Sequence, residues 1–445
     1  MTDFARILIV GGGYVGMYTA LRLQRRLRRG EAHITLVDAD SYMTYQPFLP
    51  EAAAGNVEPR HVVVPLRRVL GGCRILNGWV VGVDPHARTV DLRPHGGPGR
   101  VLGYDLLVFA PGSVSRTLPI PGLAECGIGF KTLEEAIHLR NHVLAQLDLA
   151  DSTTDPAIRA RALTFVFVGA GFAGVEALAE LEDMARDACA YYPTIEPGHM
   201  RWLLVEATDR ILPEVGPEMG RWTLEQLRAR GIDVRTGTRL LSALGGHLVL
   251  DDGAEFVTDT LVWTAGVRPH PLVRDSGLPL DGGGRVRATA ELTVEGFGNV
   301  FTAGDCAAVP DLTKPGETCA PNAQNAVRQA RVLADNVLAT LRGRPLRPYR
   351  HAYAGAVAGL GLHQGVAQIR GHKVRGLPAW FMHRTYHLSQ VPTLNKKVRI
   401  LVDWTLALFF RREIVSLGQL SDPRAEFERA VRAERENVPE PVTLR

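Results

Sequence analysis

"RILIVGGGYVGMYTALRLQRRL" (Arg6 to Leu27) decides the fold. A short β-branched run is followed at once by Gly11, Gly13 and Gly16, then by apolar residues at helical spacing. The run "ITLVDAD" (Ile34 to Asp40) supplies a second strand, and its carboxylate, Asp38, stands about 20 residues past the last glycine. Strand, glycine turn, helix, strand and acid, in that order, are what a dinucleotide-binding unit requires. Each glycine answers a separate demand. Gly11 permits a tight turn, Gly13 lets the backbone approach a pyrophosphate, and Gly16 allows helix and strand to pack closely. The first helical turn offers unpaired N–H groups and a positive dipole end to the phosphates. Asp38 is expected to accept from the ribose hydroxyls.

The same order recurs in "LTFVFVGAGFAGVEALAELEDMA" (Leu163 to Ala185), with Gly169, Gly171 and Gly174 at the turn. The next strand, "RWLLVEATDRIL" (Arg201 to Leu212), carries Glu206. Its distance from Gly174 exceeds the usual ~20 residues, and "CAYYPTIEPGH" reads as the insertion responsible. An acid here repels a 2′-phosphate and favours NADH over NADPH, although Arg210 stands nearby. After each unit, alternating apolar residues around Asp-Pro and Gly-Gly punctuation predict a small meander and a buried returning strand. These stretches end in corresponding turns, "FAPGS" (Phe109 to Ser113) and "TAGVRP" (Thr264 to Pro269). An internal repeat of nucleotide folds implies two nucleotides. Two nicotinamides have no chemistry to share, whereas a flavin takes a hydride from a nicotinamide and releases electrons singly or in pairs.

Composition narrows the class. The net charge of +4 does not by itself imply nucleic acid, and the 46% hydrophobic content is that of a globular protein. No stretch reaches the ~20 apolar residues of a spanning helix. "ARILIVGGG" lacks the basic start of a signal peptide, so none is expected. The five cysteines, Cys73, Cys126, Cys189, Cys306 and Cys319, are scattered without metal-type spacing, so no metal is expected.

"GNVFTAGDCAAVP" (Gly298 to Pro310) is a third strand ending in Gly304 and Asp305. With it the chain resembles the two-dinucleotide-binding flavoproteins, where this motif returns to the FAD domain and the aspartate reaches the ribityl–pyrophosphate. "YMTYQPFLPEAAAG", "GAGFAGVE", "GDCA", "AQNAVRQA" and "LVDWTLALFFRREIVSLG", in this order, are similar to a type II NADH dehydrogenase, a single-chain, non-pumping NADH:quinone oxidoreductase of the pyridine nucleotide-disulfide oxidoreductase superfamily. The resemblance implies an α/β chain with two Rossmann-like domains, for FAD and NADH, and a C-terminal α+β membrane-associating segment. The expected divisions are 1–120 and 285–345 for FAD, 155–280 for NADH, 346–420 for membrane association and quinone access, and 421–445 for a charged tail.

The resemblance also assigns roles. Tyr14, Val15, Val80, Ala110 and Gly112 join the FAD glycines, Val80 as the adenine contact, and Gly266 and Val267 border the nicotinamide. Glu176, in "GVE" and expected to begin the helix after the second glycine turn, lies beside the nicotinamide–flavin contact. Ala323 meets the pyrimidine end of the flavin through its backbone, and Gln324 faces the quinone. Arg328 stands where the family has a glutamine, which leaves the acceptor open among quinone, oxygen, a dye or an electron-transfer protein. Glu176, Gln324 and Arg328 are the expected catalytic group. A redox-sensing scaffold is a further reading, without a partner-docking feature to support it. "SYMTYQPFLPEAAAGN" has no cysteine, which excludes dithiol chemistry, whereas a redox pair of Cys126 and Cys319 stays open.

Near the C-terminus, Trp380, Phe381, Tyr386, Trp404, Phe409 and Phe410 stand among Lys396, Lys397, Arg399, Arg411 and Arg412. Apolar groups with basic flanks suit an interfacial helix. The expected placement is peripheral, on the cytoplasmic face of the cell membrane, with membrane quinone as partner. A helix packed on the flavin domain or at a homodimer interface is the alternative.

Overall fold

The computed structural model describes residues 4–351, 355–416 and 428–429, so the charged tail expected at 421–445 lies outside the described residues apart from the last two of these. β1 (Ala5–Val10), α1 (Tyr14–Arg26) and β2 (Ala32–Asp38) form the first unit, with β1 and β2 parallel. After α2 (Leu49–Ala53), β3 (Arg74–Asp84), β4 (Thr89–Pro94) and β5 (Arg100–Gly103) make an antiparallel meander. β6 (Leu106–Phe109) then returns beside β1. The chain enters a second sheet at β7 (Gly127–Gly129), ahead of α3 (Leu133–Ser152). There β8 (Thr164–Val168), α4 (Phe172–Ala188), β9 (Arg201–Glu206), β10 (Asp233–Thr236) and β11 (Thr260–Trp263) follow. β12 (Thr293–Val294) and β13 (Phe297–Thr302) rejoin the first sheet, and α5 (Ala323–Leu341) follows. The C-terminal part is an antiparallel β14 (Gly355–Gly359), β15 (Gly365–Ile369) and β16 (His372–Arg375), then α6 (Leu377–Gln390) and α7 (Leu394–Phe409).

Among the described residues the first sheet runs β12-β13-β6-β1-β2-β3-β4-β5 and the second β7-β11-β8-β9-β10. The quartets β6-β1-β2-β3 and β11-β8-β9-β10 are both parallel and in matching order, so the internal repeat is a repeat of topology. β1 shows why its strand is so apolar. Ile7 and Ile9 pack with the helices α1 and α5, while Leu8 and Val10 face the opposite layer with Phe109 and Val300. The corresponding turns of the repeats pair with each other. Ser113–Ser115 lies antiparallel to Val267–Pro269 and joins the two units at one seam.

α5 is fixed on α1 by Arg22, whose Nε and Nη2 donate to Asp335 at 2.7 and 2.8 Å. The C-terminal segment is fixed by a buried clamp. Glu51 of α2 accepts from Arg384 Nη2 (3.0 Å) and Trp404 Nε1 (2.6 Å), and the Arg384 guanidinium lies 4.0 Å from the Trp380 ring centroid and 4.8 Å from that of Trp404. This corrects the reading of the aromatic residues as a group of membrane anchors. Trp380 and Trp404 are buried core, whereas Phe381, Phe409 and Phe410 are exposed. Arg412 also turns inward, 3.2 Å from Asp187 with its side chain 6% exposed.

Candidate active site

Both glycine turns are built alike. Gly11 has φ +97°, and a Cβ there would lie 2.2 Å from the Ala110 oxygen. A Cβ on Gly16 would lie 1.8 Å from the Gly11 oxygen, while one on Gly13 would meet nothing within 4 Å. In the second unit Gly169 has φ +106°, a Cβ on Gly174 would lie 1.9 Å from the Gly169 oxygen, and Gly171 again faces open space. One glycine is required by conformation and one by packing. The third keeps room at the helix end for a ligand's phosphates. α1 and α4 begin without a side-chain cap, although α3 carries a full Thr132–Glu135 capping box. Their N–H groups are left for an anion.

The acids brace these turns. Asp38 accepts from the Gly12 N–H and, at 2.7 Å, from that of Asp40. Glu206 accepts from the Ala170 N–H at 2.7 Å and from the Thr208 N–H and hydroxyl at 2.8 Å. Burial raises the Asp38 carboxyl, with the two N–H donors opposing it. Val80 lies on β3, whose Asn77 is in register with Asp38, and is half-buried beside Val83 and Leu76.

At the seam, Ser113 donates to Asp305 Oδ2 at 2.6 Å and accepts from Lys131 Nζ at 3.0 Å. Burial lowers the Lys131 pKa against the pull of Asp305 and Glu135. Gly304 has φ +76°, sits over Val15, and donates its N–H to the buried Gln329 Oε1 at 2.8 Å. Tyr14 Oη is buried with no hydrogen-bond partner among the described residues, and burial holds its pKa far above the usual phenol range. Ala110 is buried on the Val10 carbonyl, while Gly112 (φ +74°) and Gly266 (φ +92°) have open space where a Cβ would be. Val267 is exposed. An orphaned phenol, two uncapped helix ends and glycines facing open space fit an extended, phosphate-bearing cofactor.

Ala323 opens α5 after Asn322, whose side chain caps the Asn325 N–H at 2.8 Å. Gln324 Nε2 donates to the Gly355 carbonyl at 3.0 Å, so this helix tip is tied to β14. Arg328 Nη1 donates to the Gln324 carbonyl at 3.3 Å, and no acid partner for it is seen among the described residues.

Glu176 does not begin its helix. It is in the second turn of α4 and buried, and Oε1 accepts from the Gly359 N–H at 2.8 Å. His383 Nε2 lies 3.2 Å from the same oxygen, an ion-pair distance without an aligned hydrogen bond. Burial opposes charge on His383, but the Glu176 carboxylate, with Glu51 behind it, outweighs this and raises its pKa. His387, with ring centroids 4.6 Å from His383, is held neutral by burial and by its neighbour, and its Nδ1 is 3.3 Å from Tyr45 Oη. Tyr45 meets Tyr14 edge to face at 6.1 Å.

Sequence reasoning missed Ser113, Lys131, Gln329, His383 and His387. Ser113 ends "FAPGS" and Lys131 precedes a capping box, so their positions were marked but their convergence was not. The two histidines share an i, i+4 face of α6, a signal that alone names no partner. The cysteine pair fails: Cys126 packs in the second unit and Cys319 in the first. Burial raises Cys306 to about 11, consistent with a packed, unreactive thiol. No metal-type cluster occurs among the described residues.

The family model for pyridine nucleotide-disulphide oxidoreductases matches residues 5–330. The chain belongs to this family. Within the pyridine nucleotide-disulphide oxidoreductases it is 31% identical to a demethylphylloquinone reductase of Synechocystis, over 91% of this chain and 96% of that protein. It is 28% identical to a type II NADH:quinone oxidoreductase of Staphylococcus saprophyticus, over 86% and 94% respectively. The solved structure of NDH2 from Plasmodium falciparum in complex with NADH superposes with a TM-score of 0.85 over 93% of this chain and 100% of that one. At 18% identity that match speaks for the fold. The likeness to type II NADH dehydrogenases read from the sequence is borne out by the named relatives.

Proposed function

We infer that this chain is an FAD-dependent NADH:quinone oxidoreductase of the non-proton-pumping, type II kind. The observation that carries this is the seam: Ser113–Ser115 pairs with Val267–Pro269, so the two repeats' corresponding turns meet, and the Gly304–Cys306 turn contacts both Val267–Pro269 and α5. When bound, FAD supplies a ring that takes a hydride from the nicotinamide and passes two electrons to the quinone. Gly11, Gly13, Gly16, Asp38, Gly304 and Asp305 hold FAD, with Tyr14, Val80, Ala110, Gly112 and the Ala323 backbone along it. Gly169, Gly171, Gly174 and Glu206 hold NADH, with Gly266 and Val267 beside the nicotinamide. Glu206 selects against a 2′-phosphate.

The overall reaction, NADH + H⁺ + quinone → NAD⁺ + quinol, needs one proton beyond the hydride. That proton is carried by His383, 3.2 Å from the Glu176 carboxylate, with the neutral His387 and Tyr45 beside it. Gln324 and Arg328 face the acceptor. Residues 1–120 with 285–345, and 155–280, act as the FAD and NADH units, and 346–420 as the quinone-access segment.

No helix among the described residues is long and apolar enough to cross a membrane. The outward side of α7, including Leu394, Val398, Val402 and Phe409, is exposed and apolar. This face is proposed to lie in the cytoplasmic membrane surface, where quinone is reached.

Purified protein should be yellow, and NADH should bleach it. Steady-state rates with menaquinone and ubiquinone analogues against ferricyanide and oxygen test the acceptor. Fast ferricyanide reduction with negligible quinone turnover would favour the second reading, a reductase for a charged acceptor. Arg328, without an acid partner among the described residues, is the observation behind that reading.

A further inference from the structure

A second concave feature lies on the flank of α7, outside both nucleotide sites. It is a cleft of about 420 Å³ walled by Glu58, Arg60, His61, Arg68, Lys396 and Arg399, within the ~300–1,000 Å³ usual for ligand clefts. Lys396, Arg399 and Asp403 recur at i, i+3 and i+7, so they share one side of the helix. That side adjoins the outward apolar face.

Charge in the cleft is not balanced by its own acids. Asp403 is taken up by His61 Nδ1 at 2.5 Å and the Glu58 N–H at 3.1 Å. Glu58 lies 3.5 Å from Arg60. Among the described residues Lys396 Nζ donates to the Arg60 carbonyl at 2.6 Å, and Arg399 donates to Asn395 Oδ1 at 3.2 Å and lies 3.5 Å from His61 Nε2. Arg68 has no acid partner among the described residues. Four full cations, Arg60, Arg68, Lys396 and Arg399, therefore face two carboxylates, Glu58 and Asp403. Burial lowers the Lys396 pKa, and the charges of Arg399 and Arg68 lower it further. An anion entering the cleft relieves that repulsion.

We propose that this cleft binds the phosphate of an anionic phospholipid headgroup at the flank of α7. Guanidinium forks suit phosphate oxygens and the lysine adds a compact charge. A lipid is favoured over free phosphate because the exposed apolar Val402 and Leu406 follow Arg399 at i+3 and i+7 on the same side of the helix, where acyl chains would run. The inference rests on the membrane reading above, and converts a general surface attraction into one built site.

The test uses the full-length, FAD-loaded protein and sedimentation with vesicles of phosphatidylcholine, alone or with phosphatidylglycerol. One variant combines Arg68→Gln, Lys396→Gln and Arg399→Gln. A control of equal charge combines Arg67→Gln, Lys397→Gln and Arg411→Gln. The wild type should bind phosphatidylglycerol vesicles more tightly than neutral ones. The cleft variant should lose that increment, at roughly fivefold per cation, and bind neutral vesicles like the wild type. The control should keep most of the increment. NADH–ferricyanide activity in solution should be unchanged in every variant.

Equal loss in both variants would mean diffuse attraction and overturn the site. So would calorimetric binding of inorganic phosphate with no lipid increment. If the protein ignores all vesicles, or a second copy covers α7 in sedimentation velocity, the membrane reading falls and this inference with it. Loss confined to the lipid increment leaves the membrane reading standing.

Discussion

A methyl group separates two functions at the glycine turns. Gly16→Ala places a Cβ 1.8 Å from the Gly11 oxygen, and Gly174→Ala places one 1.9 Å from the Gly169 oxygen, so each must displace its own helix from its own strand. The first variant should purify colourless or lose flavin readily. The second should stay yellow, with KM for NADH raised about fivefold or more, since ~1–3 kcal/mol of local strain is about fivefold to 150-fold. Flavin content and NADH kinetics on both proteins check this, and a yellow Gly16→Ala variant with normal flavin retention would contradict it. These residues were legible because conformation, packing and space each demand glycine at a fixed spacing. Glu176 was legible only through resemblance, because its partners come from residues about 180 positions away in the chain. Glu176→Gln keeps an acceptor for the Gly359 N–H but removes the charge that sustains His383 in its protonated form. A raised histidine pKa supplies its proton below that pKa and loses it as pH rises through it. The alkaline limb of quinone turnover should therefore move to lower pH in the variant, with kcat on that limb down about tenfold for each pH unit of the move. An unmoved limb would remove His383 from proton delivery.

At the scale of elements, the two parallel quartets were readable from alternating apolar runs and turn punctuation, and they formed where expected. The C-terminal segment was read less well. Aromatic residues next to cations look alike in a sequence whether they meet lipid or one another, and burial decides between them only once α2, α6 and α7 are assembled. Arg384 lies between Trp380 and Trp404 and neutralises Glu51, all of them buried. Arg384→Met keeps volume but leaves the Glu51 carboxylate unpaired, which costs about 3–5 kcal/mol. The clamp holds α6 and α7 to the flavin unit, so thermal denaturation should begin there, and proteolysis near 391–393 should precede loss of flavin. The double change Arg384→Met with Glu51→Gln should recover part of the stability. A single Arg384→Met protein as stable as the wild type would show that the clamp is not what fixes this segment. pH offers an independent check on the same core. Burial, with Glu51 nearby, raises Glu180 to about 7. Its ionised form is penalised above that value, so its contribution to stability should grow as pH falls from about 7 toward the ordinary carboxyl range near 4.5.

For the molecule as a whole, the proposed function has electrons entering at the seam between the repeats and leaving toward the side carrying α7. That arrangement predicts that water-soluble and membrane-borne acceptors can be separated by changes far from the chemistry. Ile400 and Trp404 tie the inner side of α7 to the core, while Phe409 is 77% and Val402 49% exposed on the outer side. Val402→Ser with Phe409→Ser should barely alter folding, since exposed substitutions usually stay within about 0.5 kcal/mol. In a membrane the same two side chains would be withdrawn from water, at ~1.5–3 kcal/mol for each one fully buried. Binding to neutral vesicles should weaken at least about tenfold, and turnover of a long-tailed quinone held in those vesicles should fall in proportion. NADH oxidation by ferricyanide in solution should not change, because neither residue contributes to the nucleotide sites. If long-tailed quinone turnover in vesicles persists at the wild-type rate while vesicle binding is lost, quinone does not enter along α7. If both persist, the apolar face has another occupant, and a second copy of the chain becomes the partner to examine by sedimentation.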